Sequence, residues 1–276
     1  MMIRDGRQAA ISAAEEKGDV DILVFGLTGA VLLFYLTFIL PTQWLKVVRV
    51  RHDCGLGIRV LQISDLHAER IRVGCARLKR LIAEARPDYV ALTGDFTEEA
   101  RRLPKVRQYA EAACAAGVPV FAVLGNHDYR LPPQALDQLI HTLEDAGVKV
   151  LRNEWAEAGG IQWVGIDDFE SGKSDIEKAF RGTDPEKPCV VLTHTPELVL
   201  HLKRQYKYLM AGHLHGKQFN IPFFFLFYNM GRLARSGVYR GLHHGTNGPF
   251  YISAGIGQSE INLRFLVRSE VTIHDL

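Results

Sequence analysis

Seven polar side chains stand out by type and spacing. They are Asp65 and His67 in S-D-L-H, Asp95 in T-G-D, Asn126 in G-N-H-D, His194 in T-H, and His213 and His215 in G-H-L-H. Carboxylate, amide and imidazole donors of this mix suit manganese, iron or zinc rather than a thiolate site. Asp65-Leu66-His67 and His213-Leu214-His215 use i, i+2 spacing, so in an extended or tightly turned segment the two side chains of each pair can reach two neighbouring ions. If two ions are to sit ~3.5–4 Å apart, one carboxylate must bridge them. Asp95, after Gly94, is the natural bridge. Glycines 94, 125 and 212 permit positive φ or a close approach of the ligand loops.

These residues need elements to position them, and each block follows a short apolar run. S-D-L-H follows IRVLQI, T-G-D follows YVAL, G-N-H-D follows VFAVL, T-H follows CVVL and G-H-L-H follows YLMA. The runs read as strands at Ile58–Ile63, Tyr89–Leu92, Val118–Leu124, Val190–Thr193 and Tyr208–Ala211. Helical stretches at Ala76–Ala85, Pro104–Ala116 and Pro133–Ala146 separate the early ones. Further strand candidates are Val148–Leu151, Ile161–Ile166, Phe250–Ser253 and Glu270–His274. Strand–helix alternation followed mostly by strands predicts an α/β sandwich with a mixed sheet. In open α/β sheets ligands bind beyond the carboxyl ends of the strands. Five strands that each deliver Asp, Asn or His to that edge are poorly explained by core packing.

The blocks D-x-H, G-D, G-N-H-D, a lone His after a strand, and G-H-x-H, in this order over residues 57–276, resemble the calcineurin-like metallophosphoesterases. The resemblance implies an α/β fold in which mixed β-sheets, flanked by helices, form a metallophosphoesterase-type sandwich, and a site with two divalent metal ions. Asp65, His67, Asp95 and His215 would hold one ion; Asp95, Asn126, His194 and His213 would hold the other. His127 would be the catalytic histidine that steadies the phosphoryl oxygens or protonates the leaving group, with Asp128 a candidate to orient it. The implied chemistry is in-line attack on phosphorus by a metal-activated water, with manganese the first expectation and iron or zinc the alternatives. A metal-free scaffold of the same fold should lack at least one donor, and none is missing.

Ile22–Leu40 (ILVFGLTGAVLLFYLTFIL) contains no charge and is just long enough to cross a hydrocarbon core of ~30 Å. Asp19 and Asp21 bound it on one side, Pro41, Lys46, Arg49 and Arg51 on the other, and Trp44 is placed for the headgroup level. A core helix this apolar, so near the terminus, has little to be buried in. A cleaved signal peptide needs a basic n-region and small residues at its cleavage site, and the mixed first residues and the flank lack both. The expected organisation is a tail at 1–21, a single-pass transmembrane anchor at 22–40, a linker at 41–56 and the metallophosphoesterase domain at 57–276. The basic excess after the helix predicts a cytoplasmic catalytic domain.

For the substrate, a net charge of +2 gives no whole-chain argument for nucleic acid. The aromatic run Ile221–Tyr228 beside G-H-L-H is either core or a loop that meets a membrane interface or covers acyl chains. Arg264, Arg232 and Arg235 are candidates to bind a phosphate oxygen, and His243-His244, in a Gly-rich loop, could edge the site. Anchor, loop and late motifs resemble the membrane-associated branch of the family, which implies a lipid-linked phosphorylated substrate. One activity in that branch is hydrolysis of UDP-2,3-diacylglucosamine in lipid A synthesis; an envelope phosphodiesterase is the alternative. Cys54, Cys75, Cys114 and Cys189 are widely spaced with no C-x-x-C pair, and read as buried free thiols.

Overall fold

The computed structural model describes residues 17, 21–223 and 229–276. Twelve strands among them form two six-stranded mixed sheets. In chain order the strands are β1 (Lys46–Arg51), β2 (Arg59–Ile63), β3 (Tyr89–Thr93), β4 (Val120–Val123), β5 (Lys149–Val150) and β6 (Glu154–Ala158). Then come β7 (Ile161–Gly165), β8 (Cys189–Leu192), β9 (Tyr208–Ala211), β10 (Gly241–Gly245), β11 (Gly248–Ile252) and β12 (Glu270–Asp275). One sheet runs β1-β12-β2-β3-β4-β5 and the other β10-β11-β9-β8-β7-β6. Within the first, β2, β3, β4 and β5 are parallel neighbours; within the second, β7, β8, β9 and β11 are. All five donor-bearing strands are therefore in the parallel parts, which brings their carboxyl ends to one edge in each sheet.

Side-chain alternation explains the layers. In β2 and β3, Val60, Tyr89 and Ala91 point one way and meet Trp163, Val190, Leu192, Tyr208 and Met210 of the other sheet. Leu61, Ile63, Val90 and Leu92 point the other way. They pack against Leu78 and Ile82 of a helix Cys75–Ala85, Val106 of a helix Leu103–Cys114, and Leu139 and Leu143 of a helix Pro133–Asp145. Val164, Val191 and Leu209 of the second sheet are likewise covered by Phe180, Leu198 and Leu233. The result is a sandwich of two sheets with helices outside, as the fold class required.

One helix among the described residues, α1 (Asp21–Gln43), is long and apolar enough to cross a membrane. Pro41 has no N–H for the carbonyl four residues earlier. Just before it the helix passes through a π turn, Tyr35–Ile39, whose bond runs from Leu40 N–H to Tyr35 O. Where a linker was expected at 41–56, the structure differs: Lys46–Arg51 pairs in parallel with β12. The sequence K-V-V-R-V-R turns Val48 and Val50 toward the inter-sheet core while its basic residues face outward at the sheet edge. The helix therefore runs almost directly into the sheet.

Candidate metal centre

The polypeptide turns sharply at each strand tip. Asp65, His67, Asp95, His213 and His215 all have positive φ, between 42° and 74°. Left-handed backbone is costly for non-glycine residues and persists only where surroundings over-determine it. Those surroundings are visible. Asp65 N–H donates to Gly94 O and His67 N–H to Asp95 O. His213 N–H donates to Asp65 Oδ1 at 2.9 Å, and His127 N–H to Asp95 Oδ1 at 2.9 Å. Gly94, at φ +81°, lets three segments crowd together, because a Cβ there would stand 2.7 Å from His194 Nδ1 and 2.8 Å from Gly125 N.

Two donor clusters result. Asp65, His67, Asp95 and His215 are buried with donor atoms within 4.8 Å of one another, and so are Asp95, His194 and His213. Asp95 is common to both. Asn126 adjoins the second, its Oδ1 3.1 Å from His213 Nδ1. The lone pairs converge. His67 Nε2 and His215 Nε2 face each other at 3.2 Å. His194 donates Nδ1–H to Thr93 O at 2.7 Å, which leaves Nε2 bare and 3.1 Å from Asp95 Oδ2. Asp65 Oδ2, His194 Nε2 and His215 Nδ1 are buried with no hydrogen-bond partner among the described residues. Buried polar atoms left this way are costly unless something binds them.

The electrostatics ask for positive charge. Burial disfavours charged His67, yet the Asp95 carboxylate outweighs it and lifts the pKa to about 9. His194, equally buried, is pushed well up by Asp95. Burial opposes ionisation of Asp95, but His194 and His67 hold it well below the usual carboxylate range. His215 moves down, through burial and the neighbouring His67. Oxygen and imidazole donors with unpaired lone pairs in a negative cavity fit divalent cations.

A cavity of about 380 Å³ opens over the clusters. Asp95, Asn126, His127, His213 and His215 form its floor; Arg130, Glu170 and Lys217 supply charge, and Leu214, Phe219, Met230 and Ile261 an apolar wall.

The model of the family described as calcineurin-like phosphoesterase matches residues 58–217, more than half of the chain. The chain belongs to this family. Among relatives of this calcineurin-like phosphoesterase, the uncharacterized metallophosphoesterase YkoQ of Bacillus subtilis (strain 168) is 37% identical, over 79% of this chain and 83% of that one. A Danio rerio transmembrane protein with metallophosphoesterase domain is 29% identical over 78% of this chain and 52% of its own length. The UDP-2,3-diacylglucosamine pyrophosphatase LpxG of Chlamydia trachomatis is 27% identical over 60% of this chain and 66% of its own.

Several residues of the calcineurin-like phosphoesterase sit differently from expectation. Asp128 does not meet the His127 ring. Its carboxylate accepts N–H groups from Gly125, Asp95, Phe96 and Thr97 at 2.7–3.0 Å. Four backbone donors in a dry pocket compete better than one imidazole. Glu98 is the partner instead, Oε2 2.9 Å from His127 Nδ1, while His127 Nε2 is 3.3 Å from Ser259 Oγ. Burial disfavours ionised Glu98, but His127, Arg70 and Arg130 overrule it and hold its pKa at about 2. Glu98 follows Asp95 by three residues, and that spacing was the available signal. Glu170, 2.8 Å from His213 Nε2, comes from the loop after β7 and had none. Glu98→Gln removes a charged acceptor worth about 1.5–3 kcal/mol. Turnover is expected to fall about tenfold or more, with metal content unchanged by elemental analysis.

Arg264 is not a phosphate ligand. It is fully buried and donates to the carbonyls of Ala254, Gly255, Gly257 and Arg268. Burial lowers its pKa to about 10, so it stays cationic at neutral pH. Arg264→Met should leave carbonyls unpaired, at roughly 1–3 kcal/mol each. A lower Tm without altered phosphate affinity is the expected outcome. Arg232 is paired with Glu197 at 3.6 Å, and neither it nor Arg235 lines the cavity. His243 and His244 lie in β10 rather than a loop, with His243 Nε2 2.9 Å from Arg240 O. Of the aromatic run, residues 224–228 lie outside the described residues, as does most of the 1–21 tail. Of the four thiols only Cys189 is buried; Cys54, Cys75 and Cys114 are partly exposed.

Proposed function

We propose that this chain is a membrane-anchored hydrolase that uses two divalent cations to cleave a phosphodiester or diphosphate bond in an amphiphilic substrate. The observation that carries the reading is the shape of one cavity: a floor of shared Asp and His donors with a charged side and an apolar wall of Leu214, Phe219, Met230 and Ile261. Such a cavity suits a substrate with a phosphate at one end and a hydrocarbon at the other. In this reading Asp65, His67, Asp95 and His215 hold one cation, and Asp95, Asn126, His194 and His213 the other. The donor types suit manganese, iron or zinc, and manganese is the first to try. Bound there, the cations would lower the pKa of a water and offset charge on phosphoryl oxygens.

The chain's own side chains do the rest. Glu98 takes Nδ1–H of His127 and turns Nε2 toward Ser259 and the cavity. From there Nε2 can hold the proton that the leaving oxygen needs, or steady a phosphoryl oxygen. Arg130 is ion-paired to Glu98 and Glu260 and adds positive charge at the rim. α1 is the anchor, and Lys46, Arg49 and Arg51 after it favour a cytoplasmic domain; an activity reporter fused after residue 276 tests that side.

UDP-2,3-diacylglucosamine is the first substrate to try, after the name of the LpxG relatives. Detergent-solubilised protein with Mn²⁺ is expected to release UMP from it. Turnover of bis-p-nitrophenyl phosphate without UMP would move the assignment to another diester of the membrane or envelope. No turnover of either would overturn the hydrolase reading and favour the metal-free scaffold.

A further inference from the structure

One face of the catalytic domain leaves large apolar side chains uncovered: Ile261 is 55% exposed, Leu266 67% and Phe223 71%. Leu266 and Phe223 also carry φ of 55° and 61°, a backbone region that bulky residues enter only at a cost. The local folds therefore hold these side chains outward, where their apolar surface gains nothing unless a further apolar phase covers it.

The contacts of this face indicate that phase. Phe38 near the end of α1 stacks on Phe265 at 5.3 Å, and its carbonyl accepts Arg264 N–H at 3.0 Å. Pro41 O accepts Ser269 N–H. Phe265 N–H then donates to Gln218 O, and Asn220 N–H to Phe265 O. Gln218 Nε2 reaches Ile261 O at 2.7 Å. The helix end, the Phe265–Leu266 segment and the cavity wall at Phe219 and Ile261 are therefore joined in one hydrogen-bonded surface, and Phe223 follows Asn220 by three residues. Around the helix end, Arg268 lies 3.9 Å over the half-exposed Trp44 ring, and Lys46 and Arg240 border the same groove. An aromatic ring with arginine and lysine beside an apolar patch is the composition of a lipid headgroup boundary.

We propose that this face rests on the leaflet from which α1 emerges. Leu266, Phe223 and Ile261 enter the boundary between headgroups and acyl chains, and Arg268, Arg240 and Lys46 meet lipid phosphates. The cavity then opens beside the leaflet, and its substrate class is a phosphorylated lipid that enters sideways with its chains still in the bilayer. This rests on the reading of α1 as a membrane span and of the cavity as a phosphoester site.

The test uses the full chain in vesicles of phosphatidylcholine and phosphatidylglycerol, with native cysteines replaced by serine. Nitroxide labels at Leu266→Cys and Phe223→Cys are expected to relax more with oxygen than with an aqueous nickel chelate. A label at Lys187→Cys, before β8 at the opposite end of the strands, should show the reverse. Equal accessibility of all three to the nickel chelate overturns the proposal. In the same vesicles, Leu266→Asp should lower cleavage of a vesicle-borne phosphodiester about tenfold, the change carried by one buried leucine. Its rate on soluble bis-p-nitrophenyl phosphate should stay within about twofold. An equal loss on both substrates would also overturn the leaflet contact. Absence of soluble turnover in the parent protein would instead fail the hydrolase reading and leave the label result to decide the leaflet contact alone.

Discussion

Replacing Asp95 by asparagine is expected to remove both cations and to lower phosphodiester turnover by roughly a thousandfold or more, the effect of several kcal/mol of lost charge stabilisation. Asp95 is the one residue in both donor clusters. Its Oδ2 faces His194 Nε2 at 3.1 Å and His67 Nε2 at 3.4 Å, while Oδ1 accepts the His127 amide. Asparagine keeps an acceptor for that amide, so the turn should survive; what it loses is the charge. Elemental analysis should find far fewer than two equivalents of metal, with an unchanged far-UV spectrum. A variant that retains both equivalents would show that Asp95 is not the shared donor. Chelation of the parent protein supplies a matched control, because a ligand that binds only the folded state stabilises it by about 4 kcal/mol at a thousand times its Kd.

His127→Ala is expected to cost about 10²–10⁴-fold in turnover, the usual worth of a positioned acid or base, while metal content stays intact. His127 belongs to neither shared cluster, and its Nδ1 is committed to Glu98. Burial lowers the pKa of His127 below its ordinary value, even though Asp95 pulls the other way. Nε2 therefore carries a proton only in the more acidic range, and the protonated fraction falls as pH rises through that pKa. If the proton goes to the leaving oxygen, kcat/KM should show an alkaline-side decline that His127→Ala lacks. The alternative, in which His127 only steadies a phosphoryl oxygen, predicts the same loss at every pH for substrates with good and poor leaving groups.

The candidate donor cluster was legible because its members come just after short, mainly apolar strands, as in Val120–Val123 or Val190–Leu192. Chain order and strand ends were enough, since parallel neighbours bring their carboxyl tips together. The strands missed were β1, β6 and β10, all at sheet edges. Edge strands bury one face at most, so K-V-V-R-V-R and G-L-H-H-G carry too few apolar residues to stand out from loops. The partner of His127 was misread because adjacency in sequence drew attention to Asp128. Backbone amides, which no sequence pattern advertises, had already taken that carboxylate. Arg264 was misread for a related reason. A cation near a phosphoester site looks like a ligand, but its carbonyl partners come from turns that only the folded chain brings together.

The carboxylate of Asp128 ties the loop after β3 to the loop after β4 with a single knot. The two loops bear Asp95 and the Asn126–His127 pair, so the knot makes their tips one mechanical part that cannot drift piecemeal. A mutational scan would therefore score position 128 as if it took part in the reaction. Its loss would displace Asp95 and the His127 imidazole together, although the Asp128 carboxylate itself bonds only to backbone amides. Activity data alone would misassign it; only positional measurements on the two loops would reveal a keystone rather than a reagent.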